Sequence, residues 1–262
     1  MPPRRARSAQ LDGDRREECQ WRDLALPQSP LGSPVRIGPG SQQGRRRRCP
    51  LAAGTQRRGV TGLLKLAYQT PLEWVERVAE KPLLLLSDHA HNELKAAATA
   101  QAWLQKHPGK PDLVRQLARV AAEETEHFVQ VIEILYARGG VLLPLGKNLY
   151  AEALLSRAAA TRQDKFLDRL IVAGLIEARS CERFQLLAQH LEDRELRELY
   201  AGLVECELGH RELFLRLAYE FFPHEVAEAR SAELFAIEGE VIARLGFDYY
   251  LHSGLAERVA AQ

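Results

Sequence analysis

The segments Glu124-Thr125-Glu126-His127 and Glu207-Leu208-Gly209-His210 share the pattern Glu-x-x-His, and each follows a single glutamate at a similar interval. Glu93 lies 31 residues before the first segment, and Glu177 lies 30 residues before the second. A four-helix bundle binds two metal ions with this set of residues, taking one glutamate from each of two helices and a Glu-x-x-His from each of the other two. The repeat therefore predicts an all-α protein with a two-metal site inside a bundle.

Long amphipathic segments follow one another from Leu63 onward, and none shows the alternating pattern of a strand. Prolines and glycines mark the helix ends. We predict four long helices at 82–107, 112–138, 163–190 and 194–222, and shorter ones at 71–81, 148–160 and 224–245. Thr70 is expected to cap the first short helix, because Thr-Pro-x-Glu is a helix-start pattern.

The connections between the long helices indicate how they are arranged. The first and third connections are short, which favours antiparallel neighbours, whereas the central one has about 24 residues and a helix of its own. One long crossover in the middle of four helices is the ferritin-like arrangement. We therefore predict a ferritin-like four-helix bundle with a long central crossover and extra flanking helices.

Each long helix has an apolar stripe that is interrupted by one glutamate. His127 and His210 follow their glutamates by three residues, so they lie on nearly the same face one turn further on. Four unpaired carboxylates would be untenable in a bundle core, and two divalent cations remove that difficulty. Carboxylate and imidazole ligands favour iron or manganese over a thiolate zinc site. The candidate metal ligands are Glu93, Glu124, His127, Glu177, Glu207 and His210.

Neighbouring acidic residues lie off these stripes, by about 100° to 200° on a helix of 3.6 residues per turn. They are Glu123, Glu126, Glu182 and Glu205. We interpret them as surface charges or as groups that contact a ligand. Glu182 is the main rival to Glu177, and the matching intervals favour Glu177. His89 and His91 are interpreted as structural or surface residues, with His89 a candidate hydrogen-bond donor to a ligand.

The N-terminal 58 residues differ in composition from the rest of the chain. They contain 13 arginines and 5 acidic residues, a balance of +8, whereas the remainder has a balance of −7. We predict a disordered Arg-rich extension over residues 1–60 and a single metal-binding domain over residues 61–262. The extension could be an arm that binds nucleic acid, but we favour an extension without a function.

Other sequence features exclude several classes of protein. The four cysteines form no Cys-x-x-Cys pair, which favours a reducing cytoplasm. The sequence shows no signal-peptide core and no apolar run of about 18 residues, so we expect a cytoplasmic protein without a membrane span. Because it has no Gly-x-Gly-x-x-Gly, P-loop or His-Glu-x-x-His motif, we expect neither a nucleotide cofactor nor zinc-protease chemistry.

The residues around the two single glutamates resemble those of the tRNA hydroxylases of the MiaE type. The resemblance is carried by Ser-Asp-His-Ala-His-Asn-Glu-Leu-Lys-Ala-Ala at 87–97 and by Leu-Ile-Glu-Ala-Arg-Ser-Cys-Glu-Arg-Phe at 175–184. The two Glu-x-x-His segments complete it, and it covers about residues 63–250. Members of this family usually have Cys and Lys where this chain has Asn92 and Leu94, neither of which is a candidate ligand.

The resemblance implies a non-haem di-iron monooxygenase that hydroxylates the isopentenyl group of 2-methylthio-N6-isopentenyladenosine beside the anticodon of tRNA. It implies that the six candidate ligands bind two Fe ions, that Glu124 and Glu207 bridge them, and that O2 is the co-substrate. An external electron donor is needed, because no flavin or Fe–S motif is present.

A basic rim would hold the tRNA anticodon stem-loop by its phosphates. Lys95, Arg179 and Arg183 are the candidates for ordering the site or this rim, and surface salt bridges are their alternative role. Because the balance of residues 59–262 is −7, we expect a small contact area or a contribution from the N-terminal extension.

The six ligands by themselves leave other functions open. A ferritin-like iron-oxidising or iron-storage protein without an organic substrate would use the same ligands. A non-catalytic bundle that binds RNA is a third interpretation. Metal analysis separates this third class from the other two.

Overall fold

The computed structural model describes residues 65–160 and 164–257, and the regular structure within these ranges is helical. An isolated bridge between Gly246 and Ala256 is the exception there. The all-α prediction is therefore confirmed, while the extension predicted over residues 1–60 lies outside the described residues. The described helices are α1 (Leu72–Ala79), α2 (Pro82–Lys106), α3 (Pro111–Ala137), α4 (Leu149–Ala160), α5 (Lys165–His190), α6 (Arg194–Phe221) and α7 (His224–Arg244).

The helix ends lie within two residues of those predicted, because local signals set them. Pro82 and Pro111 are the first residues of α2 and α3, a position where the missing N–H of proline is not needed. Beyond the end of α3, Gly139 has a φ of 75°, which a residue with a Cβ rarely adopts. The Asp193 side chain caps α6 by accepting a hydrogen bond from the backbone N–H of Leu196.

The cap predicted for the first helix is wrong. Pro71 is the N-cap residue of α1, and no side chain caps it. The Thr70 hydroxyl instead donates to Glu182 on α5 at 2.8 Å, and the Thr70 backbone N–H donates to the same carboxylate at 2.9 Å. The Thr70 hydroxyl therefore bonds Glu182, a residue distant in the chain, and does not cap the helix.

The four long helices form two antiparallel pairs. Helix α2 packs along α3, and α5 packs along α6, while α3 contacts α6. Helix α4, within the long central connection, packs against α5 and α7, and α7 also contacts α6. This arrangement confirms the bundle with a central crossover and flanking helices. Among the described residues, no helix combines the length and apolar character that crossing a membrane requires.

Two apolar clusters fill the bundle, and the candidate ligands lie between them. The first cluster includes Leu86 of α2, Leu135 of α3, Phe184 of α5 and Leu199 of α6. The second includes Trp103 of α2, Leu117 of α3, Leu170 of α5 and Phe214 of α6. Each long helix therefore passes from one cluster to the other through the segment that carries its glutamate. Both clusters keep water away from these segments.

Candidate metal centre

All six predicted ligands lie inside the bundle. None exposes more than 7% of its surface, and His210 is fully buried. Each lies on the apolar stripe predicted for it, because steps of three or four residues keep side chains on one helical face. The residues are Glu93 on α2, Glu124 and His127 on α3, Glu177 on α5, and Glu207 and His210 on α6.

The six residues form two groups of four, and each group places one ligand atom per residue within 4.8 Å of the others. One group contains Glu93, Glu124, His127 and Glu207. The other contains Glu124, Glu177, Glu207 and His210. Glu124 and Glu207 belong to both groups, so the arrangement suits two neighbouring cations that share these two carboxylates.

The polar atoms at the centre lack other partners. His127 Nδ1 lies 3.5 Å from Glu93 Oε2 and 3.4 Å from Glu207 Oε1. His210 Nδ1 lies 2.7 Å from Glu124 Oε1, but the direction of this contact does not suit a hydrogen bond. Both Nδ1 atoms, and Oε1 of Glu124 and Glu207, are buried without a hydrogen bond. Unsatisfied buried polar atoms are destabilising, and one cation in each group of four would satisfy all of these atoms.

Burial and mutual repulsion perturb the proton affinities at this centre. Burial, followed by the charge of Glu207, raises the pKa of Glu124 from 4.5 to about 7. Burial and the charges of Glu207 and Glu124 also raise the pKa of Glu177 well above its ordinary value. Burial lowers the pKa of His210, but Glu124 and other neighbours outweigh it and hold this pKa well above 6.5. The centre therefore retains protons that a bound cation would displace.

The outer nitrogen of His210 has its own partner, which sequence reasoning did not single out. Glu123 is buried, and its Oε2 lies 2.9 Å from His210 Nε2. Cys206 Sγ lies 3.8 Å from the same nitrogen and 3.7 Å from Glu123 Oε2. Glu123, Cys206 and His210 also form a third group that could hold a metal. Because His210 turns Nδ1 toward the six-residue centre, we interpret Glu123 as the group that orients this ring.

A similar contact orients a candidate ligand on α2. His89 is fully buried, and its Nε2 lies 2.6 Å from Glu93 Oε1. Burial lowers the pKa of His89 to about 4, so its imidazole is neutral near pH 7. A neutral ring that donates from Nε2 holds one oxygen of Glu93 and leaves the other toward His127. This is the donor role that the sequence suggested for His89.

The angular positions of the four neighbouring acidic residues predict only some of their environments. Glu126 and Glu205 are exposed, as expected of surface charges. Glu182 belongs to neither group of four and receives hydrogen bonds from Thr70 and Arg179. Glu123 is buried, so the surface interpretation is wrong for it, and its contact with a ligand is the interpretation that holds.

The surface role suggested for two arginines is also wrong. Arg179 and Arg183 are buried, with 0% and 1% exposure. Arg179 makes a bidentate pair with Glu238 of α7, with both N···O distances at 2.8 Å. Arg183 donates to the backbone carbonyls of Leu251 and Ser253. Both arginines therefore attach the C-terminal part of the chain to α5 and cannot form a rim that contacts RNA.

Glu123→Ala is expected to weaken metal binding about 10- to 100-fold, the usual effect of losing a group that orients a metal-binding histidine. The Mn(II) dissociation constant of the purified protein measures this directly. Glu126→Ala, on the same helix but exposed, is the matched control. Glu123→Gln keeps an acceptor for His210 and should restore most of the affinity. Equal affinities for the Glu123 and Glu126 variants would rule out the orienting role.

Metal binding is expected to strengthen as the pH rises, because the cation must displace protons from Glu124 and Glu177. A raised carboxyl pKa means that the folded metal-free protein keeps a proton that the unfolded chain releases from pH 4.5 upward. The metal-free protein therefore loses this stabilisation as the pH rises through about 7. The gain in melting temperature on adding Mn(II) should be larger at pH 8 than at pH 5.5. A gain that is equal at both, or smaller at pH 8, would contradict the assignment.

The chain is similar in sequence to known tRNA hydroxylases. Residues 61–253 match the family model described as tRNA-(MS[2]IO[6]A)-hydroxylase (MiaE). A relative from Pseudomonas putida, named tRNA 2-(methylsulfanyl)-N(6)-isopentenyladenosine(37) hydroxylase, is 38% identical over 75% of this chain and 95% of its own length. A relative of the same name from Salmonella typhimurium is 28% identical over 71% of this chain and 86% of its own.

A solved structure is similar over most of the described residues. It is titled "Protein 43 with aldehyde deformylating oxygenase activity from Synechococcus" and is 37% identical to this chain. The similarity covers 76% of this chain and all of the other, with a TM-score of 0.68. The extent of the family match and the identity to the Pseudomonas relative together show that this chain belongs to the MiaE family of tRNA hydroxylases.

Proposed function

We propose that this protein is a di-iron monooxygenase that hydroxylates the isopentenyl group of 2-methylthio-N6-isopentenyladenosine beside the anticodon of tRNA. Membership of the family supports the substrate, since both relatives are named for this nucleoside. The observation that carries the chemistry is the pair of buried four-residue groups that share Glu124 and Glu207. Such a pair suits two cations held close together, as a two-metal oxygenase requires.

The residues of the centre have distinct roles in this proposal. Glu124 and Glu207 would bridge two iron ions, because they are common to both groups. Glu93 and His127 would complete one position, and Glu177 and His210 would complete the other. Two iron ions bound there supply the activation of dioxygen, which the side chains of the protein cannot perform.

The surrounding residues hold the ligands and control access. His89 fixes Glu93 through the 2.6 Å contact, and Glu123 fixes His210 through the 2.9 Å contact. The apolar clusters on both sides exclude water, which protects a reactive centre from side reactions. Electrons must come from an external donor, because the sequence has no flavin or Fe–S motif. The proposal implies that the protein acts on tRNA in the cytoplasm.

Two other activities would use a similar centre. An iron-oxidising or iron-storing protein needs no organic substrate, and the structural relative is titled for aldehyde deformylation. Neither explains why two relatives are named for a modified tRNA nucleoside. The test below distinguishes these two activities from tRNA hydroxylation.

The test is one oxygenation assay that is run in parallel with three possible substrates. Iron-loaded, reduced protein is mixed with oxygen and with tRNA that carries the prenylated but unhydroxylated nucleoside. Mass spectrometry of the digested tRNA should show that this nucleoside gains one oxygen atom, and Glu177→Gln should abolish the gain. Parallel reactions contain a fatty aldehyde or excess Fe(II) instead of tRNA. An unchanged nucleoside, with the aldehyde or the Fe(II) consumed catalytically, would overturn the proposal.

A further inference from the structure

A cavity of about 620 Å³ lies beside the metal centre and contains none of its six candidate ligands. Its walls come from α2, the start of α4, the end of α7 and the segment that follows α7. Polar and aromatic residues dominate the lining, among them Asn92, Lys147, Asn148, Arg244, Tyr250 and His252. The volume falls in the usual range of about 300 to 1,000 Å³ for sites that bind small molecules.

Two lining residues connect the cavity to the helices that carry Glu93 and Glu177. Asn92 lines the cavity and directly precedes Glu93 on α2. His252 lines the cavity, and its Nε2 lies 3.0 Å from Ser180 Oγ on α5, three residues after Glu177. Both histidine ligands come from the other two helices, α3 and α6. The cavity therefore lies against α2, and its lining residue His252 contacts α5; each of these two helices contributes a single glutamate to the centre.

One nitrogen of a histidine in the cavity wall has no hydrogen bond. His252 is 5% exposed, and its ring stacks on Tyr150 with centroids 5.0 Å apart. Its Nδ1 is buried without a hydrogen bond. An unsatisfied buried polar atom is destabilising, and a ligand with a complementary polar atom would remove that penalty.

The remaining lining has the chemistry of a nucleotide site. Lys147 and Arg244 are exposed cations, suited to one or two phosphates at the rim. Tyr250 is 38% exposed and offers a ring face for stacking. Asn148 donates to Asn92 at 3.2 Å, and Asn92 donates to Asp88 at 3.0 Å. Each of the two amides keeps a second N–H, which suits the polar edge of a base.

The cavity also has carboxylates and an apolar edge. Asp88, Asp248 and Glu257 contribute to its lining and would repel a long run of phosphates. Leu149 lines the cavity and is 57% exposed, and Leu145 in the preceding loop is 60% exposed. This combination fits a single nucleotide with apolar substituents better than an extended RNA backbone.

We propose that this cavity receives the nucleotide to be hydroxylated after it has left the anticodon-loop stack. The inference rests on the proposed function. In it, Tyr250 stacks on the base, Lys147 and Arg244 hold the adjacent phosphates, and the base edge meets Asn92 and His252. The isopentenyl group then points from the cavity toward Glu93 and Glu177. Reading a single-stranded base by stacking and polar contacts is the usual mode of RNA recognition.

The test measures RNA binding separately from catalysis. A fluorescent anticodon stem-loop that contains the prenylated nucleoside is titrated with manganese-loaded protein, and Kd is read from anisotropy. Tyr250→Ala and Lys147→Glu should each raise Kd about tenfold, the usual scale of losing one stacked base or one phosphate contact. Their controls are Tyr136→Ala on α3 and Lys106→Glu near the end of α2, both exposed and outside the cavity lining. Bound manganese should be the same in all four variants.

A second variant tests the role of His252 Nδ1, the nitrogen without a hydrogen bond. His252→Phe keeps a ring against Tyr150 but removes both nitrogens. It should reduce the preference for prenylated over unmodified stem-loop without changing the manganese content. The inference is overturned if the cavity variants bind RNA as their controls do while the wild type hydroxylates tRNA. If the wild type does not hydroxylate tRNA at all, the proposed function fails instead, whatever the cavity variants show.

Discussion

Glu207→Gln is expected to remove both metal ions at once. Glu207 contributes to both groups of four, so its loss affects each position. An amide is neutral and cannot balance the charge of two divalent cations as a carboxylate does. The measurement is the metal content per chain after reconstitution with Mn(II) and removal of free metal. The wild type should hold two ions and the variant close to none, with an affinity lowered by more than about 100-fold.

Substitutions of three other glutamates serve as controls. Glu205→Gln changes an exposed glutamate two residues away on α6 and should leave both ions bound. Glu93→Gln should preferentially weaken the position that contains His127, because Glu93 belongs to that group alone. Glu177→Gln should preferentially weaken the other position. If Glu207→Gln keeps two ions, or if Glu205→Gln loses them, the shared-carboxylate arrangement is wrong.

Arg179→Ala is expected to lower the free energy of unfolding by about 3 to 5 kcal/mol, as losing one partner of a buried ion pair does. Glu238 has 0% exposure and would be left as a buried carboxylate without its bidentate partner. Tyr150 also donates to Glu238, at 2.9 Å, and Arg179 bonds Glu182 as well, so several elements would be loosened together. For a domain of this size the melting temperature should fall by roughly 6 to 20 °C.

A different ion pair, which joins α4 and α7, provides the control. Arg157 and Glu240 are 3.0 Å apart, but both side chains are about half exposed. Exposed pairs typically contribute only about 0 to 1 kcal/mol, so Arg157→Ala should change the melting temperature little. Thermal and urea unfolding of the two variants give the comparison. Similar losses in both would show that the Arg179 network does not have the structural role described.

The helices, and the burial of the six candidate ligands together, could be predicted because their signals are local. Proline at Pro82 and Pro111 and glycine after α3 mark helix ends within a few residues of chain. A glutamate in an apolar stripe, such as Glu93, is informative because an unpaired carboxylate in a core is costly. Its burial follows from the spacing along a single helix, so no knowledge of the neighbouring helices is needed.

The residues that the sequence left open or predicted wrongly are those whose environment is set by distant parts of the chain. Glu123 lies about 100° from Glu124 on its helix, and only the position of His210, 87 residues further on, explains its burial. Arg179 is buried because Glu238 follows it by 59 residues and lies against α5. Thr70 bonds Glu182, 112 residues away, in place of the local cap. No periodic pattern reveals contacts of this kind.

Anomalous X-ray diffraction from crystals of the manganese-loaded protein would locate the metal ions directly. We expect two anomalous peaks inside the bundle, between the two apolar clusters. One should lie among Glu93, Glu124, His127 and Glu207, and the other among Glu124, Glu177, Glu207 and His210. A single peak, a peak among Glu123, Cys206 and His210, or a peak at Glu182 in place of Glu177 would contradict this expectation.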